Sequence, residues 1–191
     1  MARPNHVSGR DDNVLPMSIP RGTTGLEALT EAKLWRNPCW FAFRFNHIAL
    51  RYNSPLYGWI KKQTGLSRPE FVVIYSLGLF DGALARDIAI SSGFPKNTLS
   101  RAIEKLVSLS LIEKRADAAD RRNQTLHLLP AGRKMFDDTL PQFVLFEERM
   151  LQTLSPAERD TLSNLLAKIV LDTPNWADEI EDDALTGKDS A

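Results

Sequence analysis

Residues 94–106 have the sequence Phe94-Pro95-Lys96-Asn97-Thr98-Leu99-Ser100-Arg101-Ala102-Ile103-Glu104-Lys105-Leu106. In a helix, Leu99, Ile103 and Leu106 recur at the spacing of a single apolar stripe. Pro95 favours a helix start, because its fixed φ and missing N–H suit the first turn. The opposite face then carries side chains suited to base edges and phosphates: Lys96, Asn97, Ser100, Arg101 and Lys105. The stretch therefore predicts a helix with one buried face and one face suited to nucleic acid.

A second, shorter helix is predicted just before this stretch, from Ala83 to Ser92. Gly93 ends it, because glycine readily adopts the left-handed conformation of a helix C-terminus. Two helices joined by a short turn that contains glycine are the sequence form of a helix-turn-helix. Two extended runs follow, Leu111 to Arg115 and Gln124 to Leu128, and predict a β-hairpin with a charged tip. The predicted fold class is mainly α with a small β-wing.

The run from Leu66 to Arg133 resembles the MarR family of bacterial winged helix-turn-helix regulators. The matching residues are Thr98, Ser100, Arg101, Leu106, Leu111-Ile112-Glu113, Asp120-Arg121-Arg122 and Gly132-Arg133. The sequence departs from the family pattern at Ser110, where glycine is usual, and at Leu129, where a threonine helix cap is usual. These departures concern the geometry of two turns, whereas the resemblance extends over the whole domain and its flanking helices.

The resemblance implies how the wing contacts DNA. In the family, one aspartate of the wing braces an arginine that enters the minor groove. The match assigns these roles to Asp120 and Arg122, with Arg121 as a further phosphate ligand. A solvated turn that does not touch DNA is the alternative.

Side-chain chemistry predicts separate roles along the polar helix. Arg101 can offer its guanidinium fork to the O6 and N7 of guanine, while Asn97 or Ser100 contacts a neighbouring base. The alternative for Arg101 is an ion pair with Glu104 in the same helix. The residues predicted to hold phosphates are Lys96, Thr98 and Lys105.

Charge is unevenly distributed along a chain whose formal net charge is zero. Residues 94–134 contain nine Lys and Arg against four Asp and Glu, a local charge of +5. Residues 172–191 contain seven acids and one lysine, a local charge of −6. A basic helix and wing are typical of phosphate binding, and the acidic tail balances the total.

Composition is ordinary for a globular protein, with 43% hydrophobic and 25% charged residues. No apolar run approaches the ~20 residues of a membrane span, and the N-terminus does not resemble a secretory signal. Cys39 is the single cysteine, so no intramolecular disulfide can form. These features predict a cytoplasmic protein without a membrane partner.

The predicted organisation is a winged helix-turn-helix flanked by N- and C-terminal dimerisation helices. Its segments are a flexible arm over 1–34, aromatic helices over 35–65, the DNA-binding domain over 66–129, C-terminal helices over 130–173 and an acidic tail over 174–191. The resemblance implies that the flanking helices intertwine with those of a second copy. Two-fold symmetry then predicts a double-stranded, pseudo-palindromic operator with half-sites ~10 bp apart.

Capping sequences and prolines predict where the flanking helices begin and bend. Capping boxes at Ser67–Glu70 and Ser155–Glu158 predict helices over 68–79 and from Pro156 onward. Asn37-Pro38 predicts another helix start, and a long helix is predicted from Pro130 to about Gln152. The prolines predicted to restart or kink helices are Pro55 and Pro141.

Residues 35–80 contain 11 of the 16 aromatic residues. Proteins of the family often bind phenolic or aromatic carboxylates between the dimer helices and the DNA-binding domain. The resemblance therefore predicts an effector pocket, for which the candidate residues are Trp40, Arg44, His47, Arg51 and Tyr75. Packing in a core or an interface is the alternative for such aromatic residues.

Cys39 suggests regulation by oxidation instead of by a ligand, because some members of the family sense peroxides through one cysteine near the start of the first helix. A helix N-terminus favours the reactive thiolate. The alternative is a small buried apolar residue beside Trp40 and Phe41.

The chain lacks the sequence patterns of an enzyme. His6, His47 and His127 are far apart, and none has the spacing to Cys39 or a carboxylate that metal sites require. No phosphate loop or nucleophile motif is present. We therefore predict no catalytic residue, metal or cofactor, and the remaining alternative is a winged helix that binds only protein.

Overall fold

The computed structural model describes residues 25–116 and 123–176 of the chain. The fold is mainly α-helical with a small two-stranded sheet, which confirms the predicted fold class. In chain order the elements are α1 Gly25–Trp35, α2 Trp40–Thr64, α3 Arg68–Leu79, α4 Ala85–Ser92, α5 Lys96–Ser108, β1 Ile112–Ala116, β2 Gln124–Leu128, α6 Pro130–Met150 and α7 Pro156–Asp172, after which Thr173–Asn175 form a short 3-10 helix. The chain divides into two compact units, and the boundary between Phe136 and Asp137 falls inside α6.

Helix α3 forms the base of the first unit. It begins where the capping box predicts, and the Ser67 amide donates to Glu70 Oε2 at 2.8 Å. Phe71, Ile74 and Leu77 are fully buried along its inner face. Because α3 packs against α5, the predicted recognition helix has α3 as a packing partner.

Helices α4 and α5 form the predicted helix-turn-helix. Gly93 ends α4 with a φ of 70°, and its N–H donates to the carbonyl of Ala89. Pro95 precedes the first residue of α5. The stripe of Leu99, Ile103 and Leu106 is buried, as the sequence predicts.

The wing is the antiparallel pair of β1 and β2, in which Ile112 lies opposite Leu128. Strand β2 is also bonded along its other edge, because the Leu126 amide donates to the Ala83 carbonyl and the Gly82 amide donates to the Leu126 carbonyl. A bridge between Leu84 and Thr125 extends this contact. The segment before α4 therefore attaches the wing to the helix-turn-helix, a pairing that the sequence did not predict.

The N-terminal prediction needs correction. Residues 25–34 were assigned to a flexible arm, but Gly25–Trp35 form α1. The Arg44 guanidinium donates to the Leu34 carbonyl at 2.7 Å and lies over the Trp35 ring, so contacts with α2 stabilise a short segment that has no strong periodicity of its own.

Two helix boundaries also differ from the prediction. Helix α2 begins at Trp40, because Asn37 Oδ1 accepts from the Cys39 amide and closes a turn before the helix. Pro55 lies inside α2, which continues past it to Thr64, so a restart of the helix at Pro55 is the part of the prediction that is wrong. Gly65 ends the helix in the left-handed conformation.

Ser110 adopts a φ of 54°, the position where the family usually has glycine. Its amide donates to the Val107 carbonyl, and the Leu111 amide donates to the Leu106 carbonyl. These two bonds form a Schellman motif at the end of α5. The departure from the family pattern therefore leaves the turn intact, with serine in a conformation that glycine adopts more easily.

Ser110→Gly should stabilise the protein. Glycine adopts the left-handed conformation without the strain that a Cβ causes, although it loses more backbone entropy than serine on folding. The net gain in the free energy of unfolding should be about 0.5 to 1 kcal/mol. The measurement is the free energy of unfolding from urea titration. Ser108→Gly, at the last residue of α5, is the control and should destabilise, because it removes the bond from Ser108 Oγ to the Lys105 carbonyl. A Ser110→Gly protein that is less stable than wild type would contradict the strain argument.

Gly132→Ala should destabilise the protein by about 1 to 3 kcal/mol, because it overpacks a filled site. A Cβ at Gly132 would lie 2.2 Å from the Leu111 carbonyl oxygen, which already accepts from the Leu129 amide. Gly58 in α2 has nothing within 4 Å of a Cβ, so Gly58→Ala is the matched control and should stabilise. Equal effects of the two variants on the unfolding free energy would refute the close contact.

Candidate nucleic-acid interface

The polar face of α5 is open to solvent. Lys96, Asn97, Ser100 and Arg101 are exposed, and Thr98 is half-buried. Ser100 Oγ donates to the Lys96 carbonyl at 2.9 Å, so its oxygen can still accept a hydrogen bond. The apolar stripe on the opposite side of α5 is buried, so the orientation of the helix is fixed and its polar side chains point toward solvent.

Arg101 has no hydrogen-bond or ion-pair partner among the described residues. Glu104, the alternative partner within the helix, instead accepts from Lys114 of β1. Among the described residues, none competes with an external ligand for the guanidinium group. Its role as a base-contacting residue remains a prediction.

Lys105 is placed differently from the other predicted phosphate ligands. Its Nζ donates to both carboxylate oxygens of Glu70, each at 3.0 Å. Burial alone would raise the pKa of Glu70, but hydrogen bonds from Ser67 and Lys105 outweigh burial and hold this pKa below its usual value. The ammonium group that the sequence assigned to DNA is thus bonded to α3.

The tip of the wing lies outside the described residues, and with it Asp120, Arg121 and Arg122. On the described part of the wing, Lys114 bonds to Glu104 and Arg115 bonds to Glu113. Their acids are already subtracted in the local charge of +5, so these pairs orient the side chains of β1 without changing that total.

His127 joins the wing to the turn that follows α3. Its Nδ1 lies 2.8 Å from Asp81 Oδ2, and its Nε2 lies 3.0 Å from Thr125 Oγ1. Asp81 Oδ1 accepts from the Leu128 amide at 2.8 Å. Burial would raise the pKa of Asp81, but the bonds from Leu128 and His127 hold it below its usual value. Sequence reasoning missed this contact, whose one local signal was the Asp81-Gly82 turn.

The predicted effector residues lie in several local environments. Arg44 lies between the rings of Trp35 and Trp40, 5.1 and 5.0 Å from their centroids. Tyr75 packs its ring against Phe71 and Phe136. The structure thus brings Trp40 and Arg44 together, but the Arg44 guanidinium is already engaged with α1.

The other residues predicted to bind an effector or to sense peroxide lie on the surface of the chain. His47 is exposed, and its ring packs 5.8 Å from that of Phe43. Arg51 is also exposed on α2. Cys39 is exposed at the residue before α2, so in the single chain it is not the buried apolar residue of the alternative interpretation.

The arrangement defines a class of protein. A helix-turn-helix whose second helix has a free polar face, followed by a hairpin bonded to the segment before the first helix, is a winged helix-turn-helix. No helix in the described ranges has the length and apolarity needed to cross a membrane.

Comparisons with known proteins agree with this class. Residues 64–123 match the model of the MarR family. The transcriptional regulator YwaE of Bacillus subtilis, of the HTH type, is 28% identical over 104 residues, which are 54% of this chain and 61% of that protein. The present chain therefore matches about three fifths of the length of that relative.

Solved structures extend the likeness beyond the matched domain. A MarR family regulator from Silicibacter pomeroyi has a TM-score of 0.65 at 25% identity, covering 80% of this chain and 97% of its own. BpsR of Bordetella bronchiseptica, whose DNA binding is regulated by 6-hydroxynicotinic acid, has a TM-score of 0.51 at 26% identity, covering 66% and 98%. These comparisons show that residues 64–123 and the fold around them are similar to those of MarR family regulators.

Asp81→Asn should lower stability at neutral pH and have a smaller effect in acid. Because the folded-state pKa of Asp81 lies below its ordinary value of 3.8, its stabilising effect is present above that value and is lost as the pH falls through the folded-state pKa. Unfolding free energies of wild type and variant, measured from pH 7 to pH 3, should therefore converge at the acid end. Asp137→Asn, on the exposed surface of α6, is the control. A difference that stays constant with pH would show that the charge of Asp81 contributes nothing.

Proposed function

We propose that the protein is a homodimeric transcription regulator that binds a specific DNA sequence through α5, and that it represses transcription until a small aromatic ligand releases it. One observation carries the proposal: Arg101 is exposed and without a partner among the described residues, on a helix whose opposite face is buried. An arginine held in this way can donate two parallel hydrogen bonds to guanine. Asn97 and Ser100 lie beside it and contact neighbouring bases.

Phosphate contacts set the register of α5 on the duplex. Lys96 and Thr98 lie at the start of this helix, where the backbone N–H groups of the first turn also favour an anion. Following the family resemblance, Arg122 enters the minor groove and is braced by Asp120, while Arg121 binds a phosphate. These wing contacts add affinity with less sequence information than the contacts of α5.

Dimerisation explains the apolar side chains that the protomer exposes. On α2, Trp40, Phe45, Ile48 and Leu50 are all more than half exposed. On α7 of the second unit, the same holds for Leu165, Val170 and Leu171. Surfaces of this kind commonly mark interfaces, and a second copy is the partner proposed here. A two-fold dimer would place two copies of α5 on a pseudo-palindromic operator with half-sites ~10 bp apart.

The ligand is proposed to be a small aromatic acid bound near α2. The regulation of BpsR by 6-hydroxynicotinic acid supports this class of ligand. Because Arg44 is engaged with Leu34, the exposed His47 and Arg51 are the better candidates to bind a carboxylate. Oxidation of Cys39 is the rival trigger, and the exposure of its thiol is the observation that favours it.

Selection of bound sequences from a random duplex pool tests the proposal. The purified protein should enrich an inverted repeat at near-physiological salt, and the enrichment should persist when salt is raised. Aromatic acids and peroxides are then tested for release of this duplex, with Cys39→Ser to separate the two triggers. Weak binding that disappears as salt rises, without any enriched sequence, would leave only non-specific electrostatics and favour the protein-binding module.

Arg101→Ala should weaken binding to the selected duplex and relax the preference at one base position by ~1 to 3 kcal/mol. The measurement is a set of dissociation constants for duplexes substituted at each position. Arg149→Ala removes the same charge from an exposed position of α6 and is the matched control. An Arg101→Ala protein with unchanged sequence preference would refute the role of this residue.

A further inference from the structure

The first turn of α3 contacts the chain at both ends of α5. The Arg68 guanidinium lies 5.5 Å from the ring of Phe94, two residues before α5 begins, and 5.1 Å from the ring of Tyr57 in α2. Glu70 accepts two hydrogen bonds from Lys105, in the last turn of α5. The recognition helix is therefore attached to the same turn of α3 near its start and near its end.

The two members of the Glu70–Lys105 pair differ in burial. The Glu70 side chain is 12% exposed and that of Lys105 is 49% exposed. A carboxylate so far removed from water remains charged only if hydrogen bonds and an opposite charge compensate it. The Ser67 amide supplies one such bond, and Lys105 supplies the charge. Moving Lys105 to a DNA phosphate would leave Glu70 without its cation, which opposes that movement.

We propose that Lys105 is a positioning residue that orients α5 through Glu70, rather than a ligand of DNA phosphate. The Arg68–Phe94 contact holds the other end of the helix, so the two contacts together fix the direction of its polar face. The inference rests on the proposed function, because it concerns how α5 is presented to DNA. It replaces the role that the sequence predicted for Lys105.

Positioning and phosphate binding differ in their dependence on salt. A lysine that neutralises a phosphate releases a counterion, so its loss reduces the slope of log K against log salt by about 0.9 for each contact. A lysine that only orients the helix releases none. Its loss lowers the fraction of protein whose α5 is correctly oriented, which weakens binding at every salt concentration by the same factor.

The test uses the full chain and the selected duplex, with binding measured over a range of salt concentrations. Lys105→Met and Glu70→Gln should each weaken binding roughly 5- to 20-fold with the slope unchanged. The double variant should be no weaker than either single variant, because both changes break one interaction. Glutamine at position 70 preserves the capping box of α3, and Lys96→Met is the control that should reduce the slope.

A phosphate role for Lys105 gives the opposite pattern. In that case Lys105→Met reduces the slope, and Glu70→Gln tightens binding because it frees the lysine; either result overturns the inference. Because Lys105 is half exposed, its variant should fold, and its slope decides the question even if Glu70→Gln unfolds the protein. Wild-type protein that prefers no sequence would overturn the proposed function and this inference with it, whereas a reduced slope for Lys105→Met on a specific duplex overturns the inference alone.

Discussion

The packing of α5 on α3 is the contact on which the rest of the first unit depends. Leu99, Ile103 and Leu106 on one side and Phe71, Ile74 and Leu77 on the other are all buried almost completely. Each such side chain contributes about 1.5 to 3 kcal/mol of transfer free energy, so this layer is among the strongest stabilising contributions in the unit. Because one face of α5 is fixed in this layer, the other face has a defined direction, which is the condition for reading base edges.

The wing is fixed by a second constraint, the pairing of both edges of β2. A two-stranded hairpin alone is marginally stable in water. Here the segment around Ala83 bonds the free edge of β2, and Asp81 adds bonds to the amide of Leu128 and to the ring of His127. The loop between α3 and α4 therefore fixes the wing relative to α3. One helix thus orients both elements that are proposed to contact DNA.

The sequence predicted the features that local chemistry determines. The capping box at Ser67–Glu70 predicted the start of α3 correctly, and Gly93 predicted the end of α4, because these signals act within a few residues. Features that depend on distant residues were missed. Helix α1 depends on Arg44, the extra edge of β2 depends on Ala83, and Lys105 is engaged by a carboxylate 35 residues earlier in the chain. Neither hydrophobic periodicity nor the spacing of residues in the sequence predicts such contacts.

The same distinction changes the meaning of the basic charge in residues 94–134. Counting residues gives +5, a total from which Glu104 and Glu113 are already subtracted, so the position of each cation decides more than the count. Lys105 is bonded to Glu70, Lys114 to Glu104 and Arg115 to Glu113, while Arg133 donates to the Gly78 carbonyl. These four cations thus take part in contacts within the domain. Within the described part of the region, Lys96 and Arg101 on the outer face of α5 are the strongest candidates for external contact, so specificity depends on the geometry of one helix face more than on net charge.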